Sequence, residues 1–447
     1  MVRWKRSSRR TRRVISREGA TPARETTVDS PPRGLAELQR AINAIAYPPN
    51  HCYNLMTMEG SNSSSAARFA YLLPHVSSLV KDKVVLDVGC SKGFFTLWCA
   101  EHGAKKVIAQ DTNQGYVQLV SEIARAKGLG NVVCTDVSIS RIGSVHRANG
   151  LVVTAEGDVA LVLGVGHYLT YESGLEWIYR LYFLGYDMLL EWPRGGSDSS
   201  VRQHRRRVAV ERVALLNEAS LRAKIDGLYD ITLLGQSPDL HRPLYLLRKK
   251  GLPEIPFAEV SAGSLIRARG TSRIFMRGDR EVVIFKPIHR RQGTKGGYAR
   301  RWVRGQQILA KEFPEIVPRV SAIVVGDDGV CDGVIEDFLD GSGDRRVGAK
   351  RLFDVQIFLV KRNLILLDMH ISDVVGAGVV DFDGMEVLND ETERWFRSRI
   401  PQTWRRNNPS GVRGLNMDCV EAFARLVGTG KPLLDILREG RELAYHG

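Results

Sequence analysis

Residues 84–111 read VVLDVGCSKGFFTLWCAEHGAKKVIAQD, and this stretch determines how the first half of the chain folds. It opens with a short apolar run that contains Asp87 and then breaks into a Gly-X-X-X-Gly turn from Gly89 to Gly93. A helix-forming pattern follows the turn, and a second apolar run ends at Asp111. Strand, glycine turn, helix and strand in this order predict the first βαβ unit of a nucleotide-binding sheet.

The spacing of the turn separates two classes of nucleotide ligand. A dinucleotide fold needs G-x-G-x-x-G, so that a pyrophosphate can sit on the helix N-terminus. The turn here is D-V-G-C-S-K-G, and Asp87 ahead of it would repel a pyrophosphate but could hold a cationic amino-acid group. Asp111, which closes the second strand, can accept hydrogen bonds from both hydroxyls of a ribose. The plain alternative is an ordinary βαβ unit without a ligand.

This pattern closely resembles the cofactor turn of class I S-adenosylmethionine (SAM) methyltransferases, which implies an α/β Rossmann-like domain. In that class, an acid or amide after the third strand often meets the adenine amino group, and Asp136 stands there. Arg68, in the helix expected before the first strand, would bind the SAM carboxylate or lie at the surface. The residues implied at the SAM site are Asp87, Gly89, Cys90 (through its backbone), Gly93, Asp111, Asp136 and Arg68.

The rest of the first half continues the alternation of strands and helices. Buried strands are expected at residues 131–135, 158–165 and 188–191, helices at 35–46, 66–80 and 114–127, and an antiparallel pair at 229–234 and 242–247. His167 follows the fourth strand, at the carboxyl edge where ligands meet a parallel sheet. It would act as a general base or pack beneath the substrate, because transfer from a sulfonium is downhill and positioning can suffice.

Length and cysteine content limit the class of protein. A chain of 447 residues exceeds the usual size of one core and predicts two domains. No apolar run is long enough to span a bilayer. Six scattered cysteines without a C-x-x-C pair indicate a reducing cytoplasm, with neither structural zinc nor a disulfide framework.

Charge and composition mark the ends of the domains. The net charge is +14, and the first 25 residues carry nine Lys or Arg against two acids. Residues 1–34 are therefore interpreted as a disordered basic tail, which could bind nucleic acid or an anionic membrane surface, or simply be solvated. A stretch rich in Pro and Gly at 249–263 separates a first domain, residues 35–250, from a second, residues 264–447.

The second half has a different pattern, with a predicted hairpin at 272–286, helices at 300–313 and 351–362, and strands at 320–325 and 333–338. It resembles the α+β protein-kinase-like fold, which would bind ATP and Mg²⁺ if it is active. The resemblance implies that Lys286 grips the phosphates and that residues 336–338, beginning with Glu336, form the hinge. Asp368 would be the catalytic base, and Asp373 and Asp381 would hold the metal.

Three departures from that family predict a divergent or inactive kinase module, or one kept as a scaffold. The helix glutamate that pairs with the lysine should fall in RGQQIL, where Gly305 stands. The histidine expected two residues before the catalytic acid is Leu366. Asp381 follows Asp373 by only eight positions, which is too short for the usual intervening hairpin.

The combined order resembles the bifunctional kinase–methyltransferases that cap polymannose O-antigen chains. The stretches that carry this resemblance are DVGCSKGFFTL, LLEWP, YDITLLGQSPDLHRPLYLL and SRIFMRGDREVVIFK. It implies a glycan or glycolipid acceptor that is phosphorylated at its end and then methylated, in the cytoplasm or peripherally at the inner membrane. The family's C-terminal coiled coil has no counterpart, because the 57 residues after Asp390 lack sustained heptads.

Two other functions remain open from the sequence. One is a nucleic-acid methyltransferase that uses its basic tail and a degenerate kinase module to bind RNA or DNA. It is motivated by the charge, but the chain has no recognised RNA-binding motif. The other is a methyltransferase whose pseudokinase is a binding or regulatory platform without catalysis.

Overall fold

The computed structural model describes residues 63–139, 146–148, 151–153, 156–194, 209–238, 241–261, 263–269, 272–286, 297–326, 331–339, 341, 343–367, 369, 374–382, 384–407 and 417–446. The expected basic tail and the helix at 35–46 lie outside these residues. So do two of the candidate kinase residues, Asp368 and Asp373.

The first unit of the fold is built on a seven-stranded sheet with the order β3-β2-β1-β6-β7-β9-β8. Every strand runs parallel except β9, which lies antiparallel to both of its neighbours. A separate short hairpin joins β4 and β5. The strands are β1 (Val84–Val88), β2 (Lys106–Gln110), β3 (Val132–Thr135), β4 (His146–Ala148), β5 (Leu151–Val153), β6 (Val159–Val162), β7 (Asp187–Glu191), β8 (Tyr229–Gln236) and β9 (Pro243–Lys249).

Helices cover both faces of this sheet, as near-continuous apolar strands require. Alternate residues of β6 face opposite sides: Leu161 joins the cluster beneath the first two helices, and Ala160 joins the cluster on the other face. The Rossmann-like fold and its antiparallel closing pair are therefore confirmed. The helices are α1 (Ser63–Val80), α2 (Phe94–Glu101), α3 (Gln114–Ala126), α4 (Gly166–Ser173), α5 (Glu176–Phe183), α6 (Val210–Ala214) and α7 (Glu218–Ile225).

The second unit, from residue 254 onward, is an α+β fold that we call the kinase-like module. Its sheet has the order β10-β14-β15-β13-β12-β11 and is antiparallel except where β10 pairs with β14. The stretch at 249–263 thus contributes a strand and a helix to this module. The elements up to the end of the sheet are β10 (Glu254–Pro256), α8 (Phe257–Val260), β11 (Ser264–Arg269), β12 (Ser272–Arg277), β13 (Glu281–Phe285), α9 (Gly297–Glu312), β14 (Val320–Val325) and β15 (Cys331–Asp337).

Helices and two short strand pairings, β16 with β19 and β17 with β18, complete the described part of the module. The elements are α10 (Arg345–Val360), β16 (Leu364–Leu366), β17 (Val374–Val375), β18 (Gly378–Val379), β19 (Met385–Val387), α11 (Asp390–Asn407), α12 (Met417–Val427) and α13 (Leu433–His446). The expectation that no hairpin fits before Asp381 is wrong. Val374 pairs with Val379, and Val375 with Gly378, around a two-residue turn in which Gly376 has φ +58°. Glycine's freedom at positive φ makes so short a hairpin accessible.

The two units share one apolar core, because α5 of the first unit packs against α9 of the kinase-like module. Tyr182 donates from its hydroxyl to the Gln307 amide oxygen at 2.7 Å, and Arg304 Nε donates to the Phe183 carbonyl at 2.7 Å. Glu156 and Arg301 form an ion pair at 2.9 Å across the same boundary. Apolar burial and paired charges together make this a fixed contact between the units.

Candidate functional site

The glycine turn after β1 has no room for side chains at either glycine. Gly89 has φ +66°, and a Cβ there would lie 2.5 Å from Cγ1 of Val165. Gly93 has φ +83°, and its Cβ would lie 2.7 Å from Cγ2 of Val120. Both the left-handed conformation and the close neighbours therefore require glycine, and the backbone can approach a ligand closely.

Replacing Gly93 with alanine is expected to destabilise the protein by about 2–3 kcal/mol, since strain at positive φ adds to a clash with Val120. Gly128→Ala is the matched control, because Gly128 has φ +71° but nothing lies within 4 Å of its Cβ position. Chemical denaturation measures both variants. Equal losses for the two would contradict the clash, because the difference between them isolates the contact with Val120.

Asp111 and its neighbour Gln110 hold the turn in shape. The two carboxylate oxygens of Asp111 accept backbone N–H groups from Ser91 and Asn113, each at 2.9 Å. The Cys90 N–H donates to the Gln110 carbonyl at 2.8 Å, and its own carbonyl accepts from Gly93 N at 2.8 Å. The backbone polar groups of Cys90 thus serve the turn itself, and its contact with SAM stays a prediction.

Asp87 lies buried at the end of β1, where the Thr96 hydroxyl donates to its carboxylate at 2.6 Å. Burial raises the pKa of Asp87 to about 6. The Thr96 hydrogen bonds oppose this rise, and the nearby Asp111 charge adds to it. Neutral hydrogen bonds from Thr96 compensate a buried charge poorly, so an incoming ammonium group would stabilise the charged form of Asp87.

Residues around the turn fit the methionine and ribose parts of SAM. The Ser91 hydroxyl is buried, and no hydrogen-bond partner for it is present in the described part of the chain. A cleft of only about 20 Å³ lies here, lined by Asp87, Gly89, Ser91, Phe69 and Phe94. A bound nucleoside with a methionine part would give the Ser91 hydroxyl a hydrogen-bond partner and the Asp87 carboxylate an opposite charge. The two glycines would let it approach the backbone of the turn.

SAM affinity is expected to fall about tenfold per pH unit below about pH 6, because protonation removes the Asp87 charge that faces the ammonium group. Calorimetry between pH 5 and 8 measures this dependence. The Asp87→Asn variant should bind weakly at every pH with no such slope. A wild-type affinity that is flat across this range would remove Asp87 from the ammonium contact.

Arg68 is fully buried, which excludes the surface position that the sequence left open. Its Nε donates to Glu191 Oε1 at 3.2 Å, and its Nη2 pairs with the other Glu191 oxygen. Glu191 ends β7, so the guanidinium ties α1 to the carboxyl edge of the sheet. The contact of Arg68 with the SAM carboxylate stays a prediction.

His167 and Asp136 both follow strands of the sheet at its carboxyl edge: Asp136 comes after β3, and His167 comes after β6. His167 begins α4 and is buried, with its ring centroid 4.0 Å from that of Tyr168. It stands two residues after Val165, which limits the space at Gly89. Asp136 is exposed immediately after β3. The geometry brings His167 near the turn, and its role as a base stays a prediction.

A cleft of about 690 Å³ opens beyond the end of β7. The almost fully buried Trp192 and Tyr245 form part of its wall, and the polar residues Arg194, Asn217 and Gln236 also line it. Trp192 also lies against Gly166, whose Cβ position is 3.6 Å from its ring. The volume lies within the range of small-molecule sites.

The kinase-like module brings Lys286 and Asp381 together as an ion pair. Glu336 is buried, and its side chain points toward α9, where Gln306 Nε2 donates to it at 2.6 Å. Any hinge contact made at Glu336 would therefore use its backbone. Within the described residues, no three His, Cys, Asp or Glu side chains converge on a metal position.

Gly305 does not occupy the helix position that faces the lysine. A Cβ at Gly305 would lie 2.9 Å from Cε of Met385 and 3.3 Å from a ring carbon of Phe183. The α9 residue shown to face the lysine is Trp302, whose ring centroid is 5.7 Å from Lys286 Nζ, whereas Gln306 faces Glu336. The correspondence of Gly305 to the missing glutamate stays a prediction.

Sequence reasoning missed Thr96, Ser91 and Trp192 at the first site. Thr96 stands nine residues after Asp87 inside α2, and a polar residue in that apolar helix was a usable signal. Ser91 adopts the left-handed conformation, with φ +50°, and a serine in a sequence does not indicate that conformation. Trp192 follows the last residue of β7, and only the folded sheet shows that it lines a cleft.

Comparison with known proteins finds one family that matches the part of the chain around the glycine turn. The FtsJ-like methyltransferase family matches residues 65–155, which contain the glycine turn and both carboxylates. The sheet order and this match agree with the expectation drawn from the turn. The first unit is a class I methyltransferase domain.

Curated relatives match the same part of the chain. The probable protein arginine N-methyltransferase 6 of Arabidopsis thaliana is 36% identical over 99 residues, which are 22% of this chain and 20% of that protein. Protein arginine N-methyltransferase 1 of Saccharomyces cerevisiae is 31% identical over 98 residues, which are 22% of this chain and 26% of that protein. The chain thus spans about a fifth to a quarter of these relatives.

Solved structures align over longer stretches at low identity. The bifunctional kinase-methyltransferase WbdD aligns over 89% of both chains, at 16% identity and a TM-score of 0.30. The N-methyltransferase NodS of Bradyrhizobium japonicum WM9 aligns with 42% of this chain and 98% of its own, at 18% identity and a TM-score of 0.31. TM-scores of this size do not establish a shared fold, so the class of the first unit rests on strand order and the family match.

Proposed function

We propose that the chain transfers a methyl group from SAM to the end of a glycan or glycolipid, and that the kinase-like module phosphorylates that end with ATP and Mg²⁺. The observation that supports the methyl transfer is a pair of carboxylates beside the glycine turn, which has no room for side chains at its glycines. Asp87 precedes the turn, and Asp111 follows β2 and accepts a hydrogen bond from Ser91 in the turn. The glycan end is the acceptor implied by the sequence resemblance.

The residues of the turn divide the binding of SAM between them. Asp87 would hold the ammonium group, Asp111 would accept the ribose hydroxyls, and Ser91 would donate or accept at its buried hydroxyl. When bound, SAM would supply a methyl group from its sulfonium to an oxygen of the acceptor, and S-adenosylhomocysteine would be the leaving group. The protein therefore needs chiefly to orient the acceptor and exclude water, and His167 lies buried at the edge where that orientation is set.

The cleft beyond β7 supports an acceptor of sugar size. Arg194 and Gln236 line the cleft and would donate hydrogen bonds to hydroxyl or phosphate oxygens of such an acceptor. A phosphorylated sugar end would present an anionic oxygen to the methyl group. Arg194 makes such an anion a better fit than a cationic acceptor.

Lys286 and Asp381 support the phosphorylation step. A lysine that is only 13% exposed beside a carboxylate that is 41% exposed can meet a polyphosphate and its metal. Asp381 adopts φ +66°, an uncommon conformation for a residue other than glycine, and such conformations cluster at functional sites. The base role of Asp368 and the metal role of Asp373 remain part of this proposal.

The position of the protein in the cell is also a proposal. We expect it to act in the cytoplasm, peripherally at the inner membrane, where the basic residues 1–34 would meet anionic lipid. Among the residues that the structure describes, no helix has the length and apolar character needed to cross a bilayer.

Label transfer tests both halves of the function. The protein is incubated with methyl-labelled SAM and γ-labelled ATP over a panel of glycans, glycolipids and RNA. We expect both labels to move to glycan ends, with methyl transfer depending on prior phosphorylation. Methylation of RNA alone would overturn the glycan proposal in favour of a nucleic-acid methyltransferase, and methyl transfer without any phosphate transfer would overturn the kinase half.

A further inference from the structure

Arg301 on α9 lies between two carboxylates that belong to different units. Its Nε pairs with Glu156 Oε1 of the first unit at 2.9 Å, and its Nη1 donates to Glu386 Oε2 on β19 of the kinase-like module at 2.8 Å. Arg304, one helical turn later, reaches the same Glu156 oxygen at 3.5 Å. The Arg301 side chain is 18% exposed, so salt screens these contacts in part. One guanidinium thus joins the first unit, α9 and β19.

Glu156 is held in place by the sheet of the first unit. It stands two residues before Asp158, whose N–H donates to the Val84 carbonyl at 2.9 Å and whose carboxylate accepts the Val84 N–H at 2.8 Å. These bonds lie at the beginning of β1, whereas Gly89 and the glycine turn follow its other end. Glu156 can therefore act on the kinase-like module from the sheet edge opposite the SAM site.

The helix α9 connects this junction to Lys286. Trp302, the residue after Arg301, is buried, and its ring centroid lies 5.7 Å from Lys286 Nζ. Its Nε1 donates to Gln306 Oε1 at 2.9 Å, and Gln306 Nε2 donates to the Pro318 carbonyl at 3.0 Å. Neighbouring residues of one helix thus contact the first unit on one side and the lysine on the other. A shift of α9 at Arg301 would displace the ring beside Lys286.

The strand β19 connects the same junction to Asp381. Asp381, the ion-pair partner of the lysine, stands five residues before Glu386. The chain between them is held by a turn in which the Met385 N–H donates to the carbonyl of the fully buried Phe382 at 3.3 Å. Met385 also lies against α9, since its Cε is 2.9 Å from the Cβ position of Gly305. Arg301 therefore joins the two elements that flank the ion pair.

We propose that Arg301 is a positioning residue through which the first unit holds the nucleotide site of the kinase-like module in its binding geometry. This inference rests on the nucleotide binding proposed above. Lys286 and Asp381 must keep a fixed separation and direction to meet the phosphates and their magnesium. Because Arg301 ties α9 and β19 to Glu156, the first unit is part of the scaffold of that site.

Calorimetry of intact protein with Mg-ATP tests this role. Glu156→Gln should lower Mg-ATP affinity by about threefold, the worth of a partly exposed ion pair. Glu156→Lys should lower it by about tenfold, because a repulsion of similar size against Arg301 and Arg304 adds to the lost attraction. Arg301→Lys keeps a cation between the two carboxylates and should stay within about threefold of wild type.

Glu254 supplies the matched control. It pairs with Arg300, the residue before Arg301 on α9, at 2.6 Å, and this pair lies wholly within the kinase-like module. Glu254→Gln and Glu254→Lys make the same changes of charge and should leave Mg-ATP affinity unchanged. SAM affinity should be unchanged in every variant, because the junction lies at the opposite edge of the sheet.

Two results would overturn the inference. One is wild-type Mg-ATP affinity in folded Glu156→Lys, even with a lowered melting temperature, because a purely structural ion pair leaves the binding of folded molecules unchanged. The other is an equal loss of affinity in Glu254→Lys, which would show a general effect of charge on α9.

The failure of the underlying function looks different. If intact protein binds no Mg-ATP, the nucleotide proposal falls, and the role of Arg301 falls with it. If intact protein binds Mg-ATP and both Glu156 variants bind it equally well, the inference alone falls and the nucleotide site stands.

Discussion

Asp111→Ala is expected to weaken SAM binding by more than about 100-fold. Each oxygen of Asp111 already accepts one backbone N–H, from Ser91 or Asn113, and a carboxylate oxygen has a further lone pair for a ribose hydroxyl. Two hydrogen bonds to a charged acceptor contribute about 3–6 kcal/mol together. The loss of the Ser91 contact also loosens the turn, which adds to the loss of affinity.

Calorimetry with SAM measures the effect, and Asp111→Asn is the control. Asparagine keeps the shape and one acceptor oxygen but loses the charge, so its affinity should lie between those of wild type and alanine. The half-buried position of Asp111 predicts wild-type far-UV circular dichroism for both variants. An alanine variant that binds within threefold of wild type would remove Asp111 from the ribose contact.

The β1–turn–β2 segment was predictable because its signals are local. Asp87, Gly89, Gly93 and Asp111 lie within 28 residues, and each has a backbone or charge requirement that is visible in its residue type. β2 ends at Gln110, directly before Asp111 as expected, and β6 proved shorter than expected at Val159–Val162. Periodicity identifies a buried strand well, but its ends depend on neighbouring strands.

Other features depend on contacts between distant parts of the chain. The strand Glu254–Pro256 is only three residues long and pairs with β14, some seventy residues later. Because it lies within the stretch 249–263, which is rich in Pro and Gly, the sequence there resembled a linker. The Arg68–Glu191 pair joins residues 123 positions apart. Neither residue type shows by itself whether it will be buried with a partner.

The junction of the two units determines how α9 is rotated around Gly305. Family spacing placed a glutamate on α9 by counting, whereas the helix is oriented by its contacts with α5. Gln307 accepts from Tyr182, Arg304 donates to Phe183, and Gly305 lies against the same Phe183 ring. These contacts with the first unit set the rotation of α9, and Gln306 then faces Glu336 on β15.

Arg68→Met is expected to destabilise the protein by about 3–5 kcal/mol, because it leaves Glu191 buried without its bidentate partner. Both side chains are fully buried. Burial by itself would raise the pKa of Glu191, but Arg68, Arg242 and a hydrogen bond from Ser237 hold it below its ordinary value. Without Arg68 the balance shifts toward burial, and the pKa should rise.

The dependence on pH follows from the sign of that shift. A lowered pKa in the folded protein means that the pair stabilises the fold above the unfolded pKa of about 4.5, and this stability is lost as pH falls through the folded value. In Arg68→Met the charged form of Glu191 is buried without its partner and lowers the free energy of unfolding. The variant should therefore be least stable at pH 8 and closest to wild type near pH 4.5. Adding Glu191→Gln should recover part of the loss.

Urea denaturation at pH 8 and pH 4.5 measures both effects. Arg222→Met is the control, because its pair with Glu218 is about half exposed and should contribute less than about 0.5 kcal/mol. A cost below about 1 kcal/mol for Arg68→Met at pH 8 would show that the buried pair does not hold α1 on the sheet. A loss of SAM affinity beyond tenfold in the folded variant would instead assign Arg68 to the cofactor as well, since a purely structural arginine leaves the binding of folded molecules unchanged.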